Sequence, residues 1–452
     1  MDRSLITDCL KKVGEEVKVA GWVQTVRAHG KIAFFDLRDR SGLLQIAAFK
    51  PEIVKQITCL GSQDAVEVYG KVKQREERYI NKENPVGTIE LEAENVTVLH
   101  KAEEMPFDMG GKELHLELPT LLDYRSLTLK HDTVRMIFII QAGLAEEFRK
   151  AARKLDCTEI FVPTIAAGAT EGGSEVFEVN YYGHKAFMTQ SPQLYKQIMV
   201  GVFERVFTIA KAYRAEPSVT TRHVSEATQM DIEIGFIEKF EELLDALEFV
   251  GTEMIKNVSE SYGEILKKFD VEEPLVPSRV PRLTLHEAQA IVSKRTGRDL
   301  SREPDLNPED EKEICEWAKE EHKSDFVTIT HFPTKKRAFY TMPDPKDPEY
   351  SLSYDLLFRG LEILSGSQRI HQYSVLVERM KEKGVDPKNF GIYLMAFQYG
   401  MPPEGGFSFG LERLTMKLLE LANVREASLF PRDMERVDER FSKQEEKDKQ
   451  KK

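Results

Sequence analysis

Apolar and polar positions alternate in short runs between residues 17 and about 100: VKVAGWVQTVRAHG, KIAFFDLRDRSGLLQIAAF, AVEVYGKVKQR and TIELEAENVTVLH. Period-two alternation broken by turn residues predicts a series of short strands, and such even spacing suggests a small closed barrel. Phe34 and Phe35 are neighbours on one predicted strand, so one faces the core and the other solvent. Phe34 is expected to be the outward one. The pattern then changes. Over residues 133–154 (TVRMIFIIQAGLAEEFRKAARK) apolar residues recur at helical spacing with no proline, predicting a long amphipathic helix. CTEIFVPTI follows as a strand interrupted by Pro163, which suits a sheet edge because proline cannot donate to a ladder.

Residues 205–235 begin as a strand, with Val206, Phe207, Ile209 and Ala210 around Thr208, and end as one in which Met230, Ile232 and Ile234 alternate with Asp231 and Glu233. The loop between them carries Arg214, Glu216, Arg222, His223 and Glu226. Fixed cations and carboxylates on a rigid hairpin suit a polyphosphate and its metal, although charge alone describes a solvated hairpin tip just as simply. A second glycine-rich turn, GGFSFGLER at 405–413, also ends in an arginine. ATEGGSEVF at 169–177 has the composition of a mobile loop or an exposed turn. QSPQLYKQ at 190–197 follows a short strand, KAFMT, and opens a helix. Helical patterns recur over 241–262, 283–300 and 305–322, and no chemistry is expected of residues 240–345.

A chain of 452 residues with 41% hydrophobic and 31% charged residues is expected to form two or three soluble domains. It has no run of 18 apolar residues and no apolar segment of a signal peptide near its start, so cytoplasm is the expected compartment and no membrane contact is expected. Cys9, Cys59, Cys157 and Cys315 show no CxxC pair or zinc spacing and read as idle thiols. A net charge of −12 argues against binding nucleic acid by bulk electrostatics while leaving room for a local basic face. The Lys- and Glu-rich end, 442–452, reads as a disordered tail.

YRAE followed by TTRH resembles motif 2 of the class II aminoacyl-tRNA synthetases, and GGFSFGLERL resembles motif 3. TEGGSEVF, QSPQLYKQ, DLLFRGLEILSGSQR and NVREASLFPRD extend the likeness to aspartyl-tRNA synthetases of the archaeal and eukaryotic kind, in the family's order. The resemblance implies an α+β protein: an OB-fold anticodon-binding barrel at 1–102, a connector at 103–131, a class II catalytic domain of antiparallel sheet flanked by helices at 132–438, and a charged tail at 439–452. The helix, strand and Pro163 look like motif 1, which in this class builds a homodimer interface.

The activity implied is ATP-dependent formation of aspartyl-adenylate and transfer of aspartate to tRNA(Asp), with Mg2+ as cofactor. By resemblance Arg214 and Arg413 are the catalytic arginines, one at the α-phosphate and substrate carboxylate, the other bridging a bent ATP near its adenine. Arg222 and His223 would meet the γ-phosphate side and Glu216 the adenine amino group. Ala215, Val224, Gly410, Leu411 and Glu412 complete the nucleotide set. Glu362 and Ser365 would hold the metal, with Asp355 on the same strand or merely facing solvent. For aspartate, Glu171 would hold the α-amino group, Gln193 and Ser365 would line the pocket, and Lys196 and Arg369 would meet the β-carboxylate with Asp231 orienting them. In the barrel, Phe34 would stack on an anticodon base while Gln45 and Glu90 read base edges. Gln24 and Pro85 stand where this family separates strict enzymes from those that also charge tRNA(Asn), and Pro85 favours acceptance of both.

Three departures stand out: Pro217 where an acidic residue is usual, Arg337 where Lys is usual, and Ser367 and Ile370 in place of GGQREH. An asparaginyl-tRNA synthetase of the same architecture is the nearest alternative. It is expected to lack the counterpart of Lys196 and to carry M-x-E-P-E where this chain has MDIE. A non-catalytic RNA-binding paralogue is a further alternative, but it would be expected to lose ATP ligands that are all present here.

Overall fold

The computed structural model describes residues 2–111, 113–168, 175–217 and 220–442, in two units that divide between His115 and Leu116. Glu171 and the 443–452 end therefore lie outside the described residues.

The first unit holds β1 (Glu16–His29), β2 (Ile32–Arg38), β3 (Leu43–Ala48), α1 (Pro51–Thr58), β4 (Ala65–Gln74) and β5 (Ile89–His100). The strands close into a barrel in the order β1-β2-β3-β5-β4, which leaves no free edge. Val19, Phe35, Leu37, Ile46, Val68 and Leu91 fill its interior. Phe35 is fully buried and Phe34 only partly so, the outward placement that alternation predicts.

The second unit opens with α2 (Leu118–Asp123), α3 (Arg125–Thr128) and α4 (Asp132–Lys154). Arg125 is buried and donates to the carbonyls of Glu426, Ser428 and Leu429, so the 116–131 segment is built into this unit. After β6 (Thr158–Glu159) the chain leaves the main sheet before Pro163. A small sheet of β7 (Ile165–Ala166), β8 (Glu178–Tyr181) and β9 (His184–Met188) leads into α5 (Gln193–Phe203). The hairpin read from the sequence is β10 (Arg205–Tyr213) and β11 (Glu226–Gly235), followed by α6 (Phe240–Leu266). Next come β12 (Arg282–Thr284), α7 (Leu285–Thr296), α8 (Pro308–His322), β13 (Phe326–Thr330), β14 (Ser353–Phe358) and β15 (Leu361–Gln368). Last are α9 (Tyr373–Glu382), α10 (Gly391–Gln398), β16 (Glu404–Gly410) and α11 (Leu411–Leu418). Arg440, expected to lie in the charged tail, is ion-paired with Asp123.

Eight strands form one sheet in the order β12-β13-β14-β15-β16-β11-β10-β6, antiparallel except at its two ends. Ile140, Leu144 and Phe148 of α4 and Leu247, Val250 and Met254 of α6 pack with Met230, Ile232, Phe407 and Phe409 from one face of that sheet. The opposite face is polar. Register brings Thr208, Asp231, Ser408, Ser365 and Asp355 side by side across five strands. Two residues further along, Glu233, Gly406, Ser367 and Ser353 form a second row. Both rows are enclosed, so Asp231 and Glu233 are as buried as the apolar residues they alternate with.

Candidate active site

The polar face of the sheet floors a cavity of about 500 Å³. Gln193, Lys196, Asp231, Ser365 and Arg369 line one part of it, and Arg214 lies on the same wall. Lys196 reaches in from the first turn of α5 and is 1% exposed. Its Nζ lies 2.9 Å from Asp231 Oδ1 and 3.0 Å from Glu233 Oε2. Arg369, at the end of β15, meets Glu233 with two nitrogens, at 2.7 and 3.3 Å, and donates to Ser367 Oγ and the Gly406 carbonyl. Ser408 Oγ donates to Asp231. Gly406 makes this possible, since a Cβ there would stand 2.3 Å from Glu233 Oε2.

Charge states follow from this packing. Burial alone would raise the Glu233 carboxyl, but Arg369 and Lys196 more than offset it and hold it below its ordinary value. Burial wins at Asp231, which stays above its ordinary value despite Lys196. Burial also opposes the charge on Arg369, yet Glu233 holds that guanidinium above its ordinary value. Behind them Glu404, fully buried and facing Glu233, is pushed well above the carboxylate range by burial and by that neighbouring charge. Gln197 donates to Glu404 at 2.7 Å and accepts from Gln193 and Tyr393.

Arg214, Glu216, Arg222, His223, Val224 and Arg413 line the remainder, with Glu362, Gly410 and Glu412. Ala215 and Leu411 are adjacent in sequence to lining residues without lining the cavity, and Leu411 packs into the core instead. The Arg214 guanidinium has no ion-pair partner among the described residues, leaving it available to an anion. Arg413 Nη1 lies 3.7 Å from Glu362 Oε2, and its Nε donates to the Arg222 carbonyl at 3.4 Å. Burial first and Arg413 second lower His223, favouring the neutral imidazole. The Glu412 carboxylate is committed to the Thr228 N–H at 3.0 and 2.9 Å, anchoring the start of β11.

Glu362 owes its place to a β-bulge. The register runs Leu356↔Leu364 and then Leu357↔Glu362, so β15 carries one extra residue. That residue shifts the alternation and turns Glu362 to the face that carries Ser365. Burial and Asp355, opposed by Arg413 and Arg337, push Glu362 up to about 7. Asp355 is 7% exposed, which removes the solvent-facing alternative. One of its oxygens accepts from Arg337 at 2.7 Å and the other is buried without a partner. Arg337 also donates to Ser365 Oγ. Crowded carboxylates, a hydroxyl and an unpartnered oxygen are hard donors that fit Mg2+. Among the described residues no three His, Cys, Asp or Glu side chains converge on one point, so phosphate oxygens and water would have to complete the shell.

On the barrel's outer surface Gln45 and Glu90 are register partners joined at 2.9 Å. Arg75 donates to Gln45 Oε1 at 3.3 Å, and Asp36, opposite Gln45, is held by Arg27 and Thr25. Phe34 lies on the same strand and face as Asp36. Gln24 Oε1 is buried without a partner, and Pro85 is exposed on the turn before β5.

Residues 117–434 match the family of class II tRNA synthetases (D, K and N), and residues 17–99 match the OB-fold nucleic acid binding domain. The chain is a class II aminoacyl-tRNA synthetase. The aspartate–tRNA(Asp/Asn) ligase of Thermus thermophilus is 41% identical over 436 residues, 96% of this chain and 99% of that one. The aspartate–tRNA(Asp) ligase of Pyrococcus furiosus is 41% identical over 432 residues, 94% of this chain and 96% of that one. Among solved structures, a putative aspartyl-tRNA synthetase from Leishmania major superposes with a TM-score of 0.88 at 28% identity, covering 96% of this chain and 95% of that one. An asparaginyl-tRNA synthetase from Pyrococcus horikoshii superposes with a TM-score of 0.84 at 29% identity, covering 94% and 97%.

Several residues of the synthetase site escaped the sequence. Glu233 carried a signal, since it repeats the spacing of Asp231 along β11. Glu404, Gln197 and Tyr393 carried none, because only tertiary packing brings α5, α10 and β16 together. Glu311 of α8 lies in the segment of which no chemistry is expected, yet it forms an ion pair with Arg222 at 2.9 Å.

Proposed function

We propose that this synthetase is an aspartate–tRNA ligase that forms aspartyl-adenylate from L-aspartate and ATP and passes the aspartyl group to the 3′ end of tRNA(Asp) and also of tRNA(Asn). The observation that carries the choice of aspartate is the pair Lys196 and Arg369, both buried in the cavity wall and fixed by Asp231, Glu233 and Ser367. Cations held this rigidly favour a second negative charge on the amino acid, whereas an amide would leave them less well satisfied. An asparaginyl enzyme shares the fold but gains nothing from a buried lysine at this point.

In the first step an α-carboxylate oxygen of aspartate attacks the α-phosphorus of ATP, the bond to the bridging oxygen breaks, and pyrophosphate leaves. The nucleophile is already anionic, so alignment and positive charge are what the site must supply. Arg214, free of ion pairs among the described residues, suits the α-phosphate and the carboxylate with its planar fork of donors. Arg413 and Arg222 flank the rest of the triphosphate, and Glu216 faces the adenine. Glu362, Ser365 and Asp355 would hold Mg2+, which neutralises phosphate charge. In the second step a ribose hydroxyl of the tRNA attacks the activated carbonyl and AMP leaves. Phe34, Gln45 and Glu90 would hold the anticodon, and Gln24 and Pro85 bear on which tRNA is accepted. The enzyme would act in the cytoplasm as a homodimer built around the motif 1 segment. Support for the dimer comes from Phe161, Val202, Met395 and Tyr399, 55–89% exposed on or beside β6, α5 and α10, around the one apolar cluster that holds Ile160, Val200 and Phe397.

Pyrophosphate exchange measured with each amino acid tests the proposal. Exchange is expected with aspartate and at most about one part in a hundred of that with asparagine. Equal or better exchange with asparagine would assign the asparaginyl function instead.

A further inference from the structure

Glu311 stands far along the chain from the β10–β11 hairpin, in an acidic helix whose sequence announces no chemistry. In the fold its Oε2 accepts from Arg222 Nη2 at 2.9 Å. The two side chains are only 13% and 21% exposed, so the pair is sheltered from screening by solvent. One carboxylate from a distant helix therefore holds the guanidinium of the hairpin loop. Arg222 lines the active-site cavity.

The helix is built to hold that carboxylate still. Asn307 caps α8, accepting from the N–H groups of Glu309 and Asp310. Asp310 is buried and ion-paired with Arg298. Ile314, Cys315 and Ala318 pack against Val327, Ile329 and Leu357. Arg222, by contrast, sits in an irregular loop and carries one of the longest side chains. Orienting it in advance removes part of the entropy cost of binding a phosphate.

We propose that Glu311 is a positioning residue for ATP. It sets Arg222 in place before the nucleotide arrives, so that the cation flanking the triphosphate is already oriented. This rests on ATP being the nucleotide substrate, as proposed above.

The test is ATP affinity by titration calorimetry in the presence of Mg2+, alongside pyrophosphate exchange, in Glu311→Gln, Arg222→Ala and the double variant. Glutamine keeps the shape and an acceptor oxygen but removes the charge. Glu311→Gln is expected to weaken ATP binding and raise its KM by about tenfold, with the KM for aspartate changed less than about twofold. In the Arg222→Ala background the same substitution is expected to add little, because its effect runs through Arg222. An unchanged ATP affinity, a parallel rise in both KM values, or full additivity with Arg222→Ala would each overturn the proposal. Loss of aspartate-dependent exchange in the unmodified enzyme would instead sink the assigned activity, while the calorimetric arm would still read Glu311.

Discussion

Single residues at the aspartate end of the cavity must solve a problem of buried charge. The buried cations Lys196 and Arg369 are answered by Asp231 and Glu233, and removing any one of the four would strand its partners. Glu404 is driven toward the neutral form, since it is fully buried and faces the Glu233 carboxylate. Its ordinary value is 4.5 and its folded value lies well above that. The folded chain thus binds this proton more tightly than the unfolded one. Its contribution to stability is full below the unfolded value and is lost as pH rises toward the folded one. Glutamine at this position can donate to Glu233 and accept from Gln197 as the protonated acid does. Glu404→Gln is therefore expected to match the native protein near pH 4.5 and to exceed its melting temperature increasingly toward pH 9, as thermal unfolding across that range would register.

At the scale of elements, two devices put chemistry on the sheet. The bulge in β15 re-aims Glu362, and glycines let β16 approach β11 and β15 closely. A Cβ at Gly406 would lie 2.2 Å from the Ile232 carbonyl as well as against Glu233. Gly406→Ala is expected to cost about 3 kcal/mol in denaturant unfolding and to abolish aspartate activation, because the intruding methyl displaces the carboxylate that holds Lys196 and Arg369. The barrel is a separate element with a separate task. Gln45→Ala should weaken charging of tRNA while leaving pyrophosphate exchange unchanged. A matching loss in both assays would remove Gln45 from the anticodon role.

For the whole molecule, the exposed apolar residues beside motif 1 set the expected assembly. Phe161 is 89% exposed, and a charge placed there should oppose burial against a second copy. Phe161→Asp is expected to shift the sedimenting species from dimer to monomer; an unchanged sedimentation coefficient would exclude this face from the interface.

How much of this was legible in the sequence varied with the range of the interactions. Local pattern determined the barrel strands, the helix at 132–154, the β10–β11 hairpin and the outward turn of Phe34, because alternation and helical periodicity are properties of neighbours in the chain. The order of the motifs predicts one site for Lys196, Arg214, Arg369 and Arg413, and all four line the same cavity. Only the tertiary structure decided how those charges are satisfied. Glu233 could be read as one more strand carboxylate, Glu404 as a turn residue and Glu311 as part of a solvated helix face. Each acquires its role from at least one partner that lies between 89 and 207 residues away. The energy of a buried charge depends on which counter-charge packs against it, and that is settled by the register of strands and the docking of helices rather than by sequence spacing.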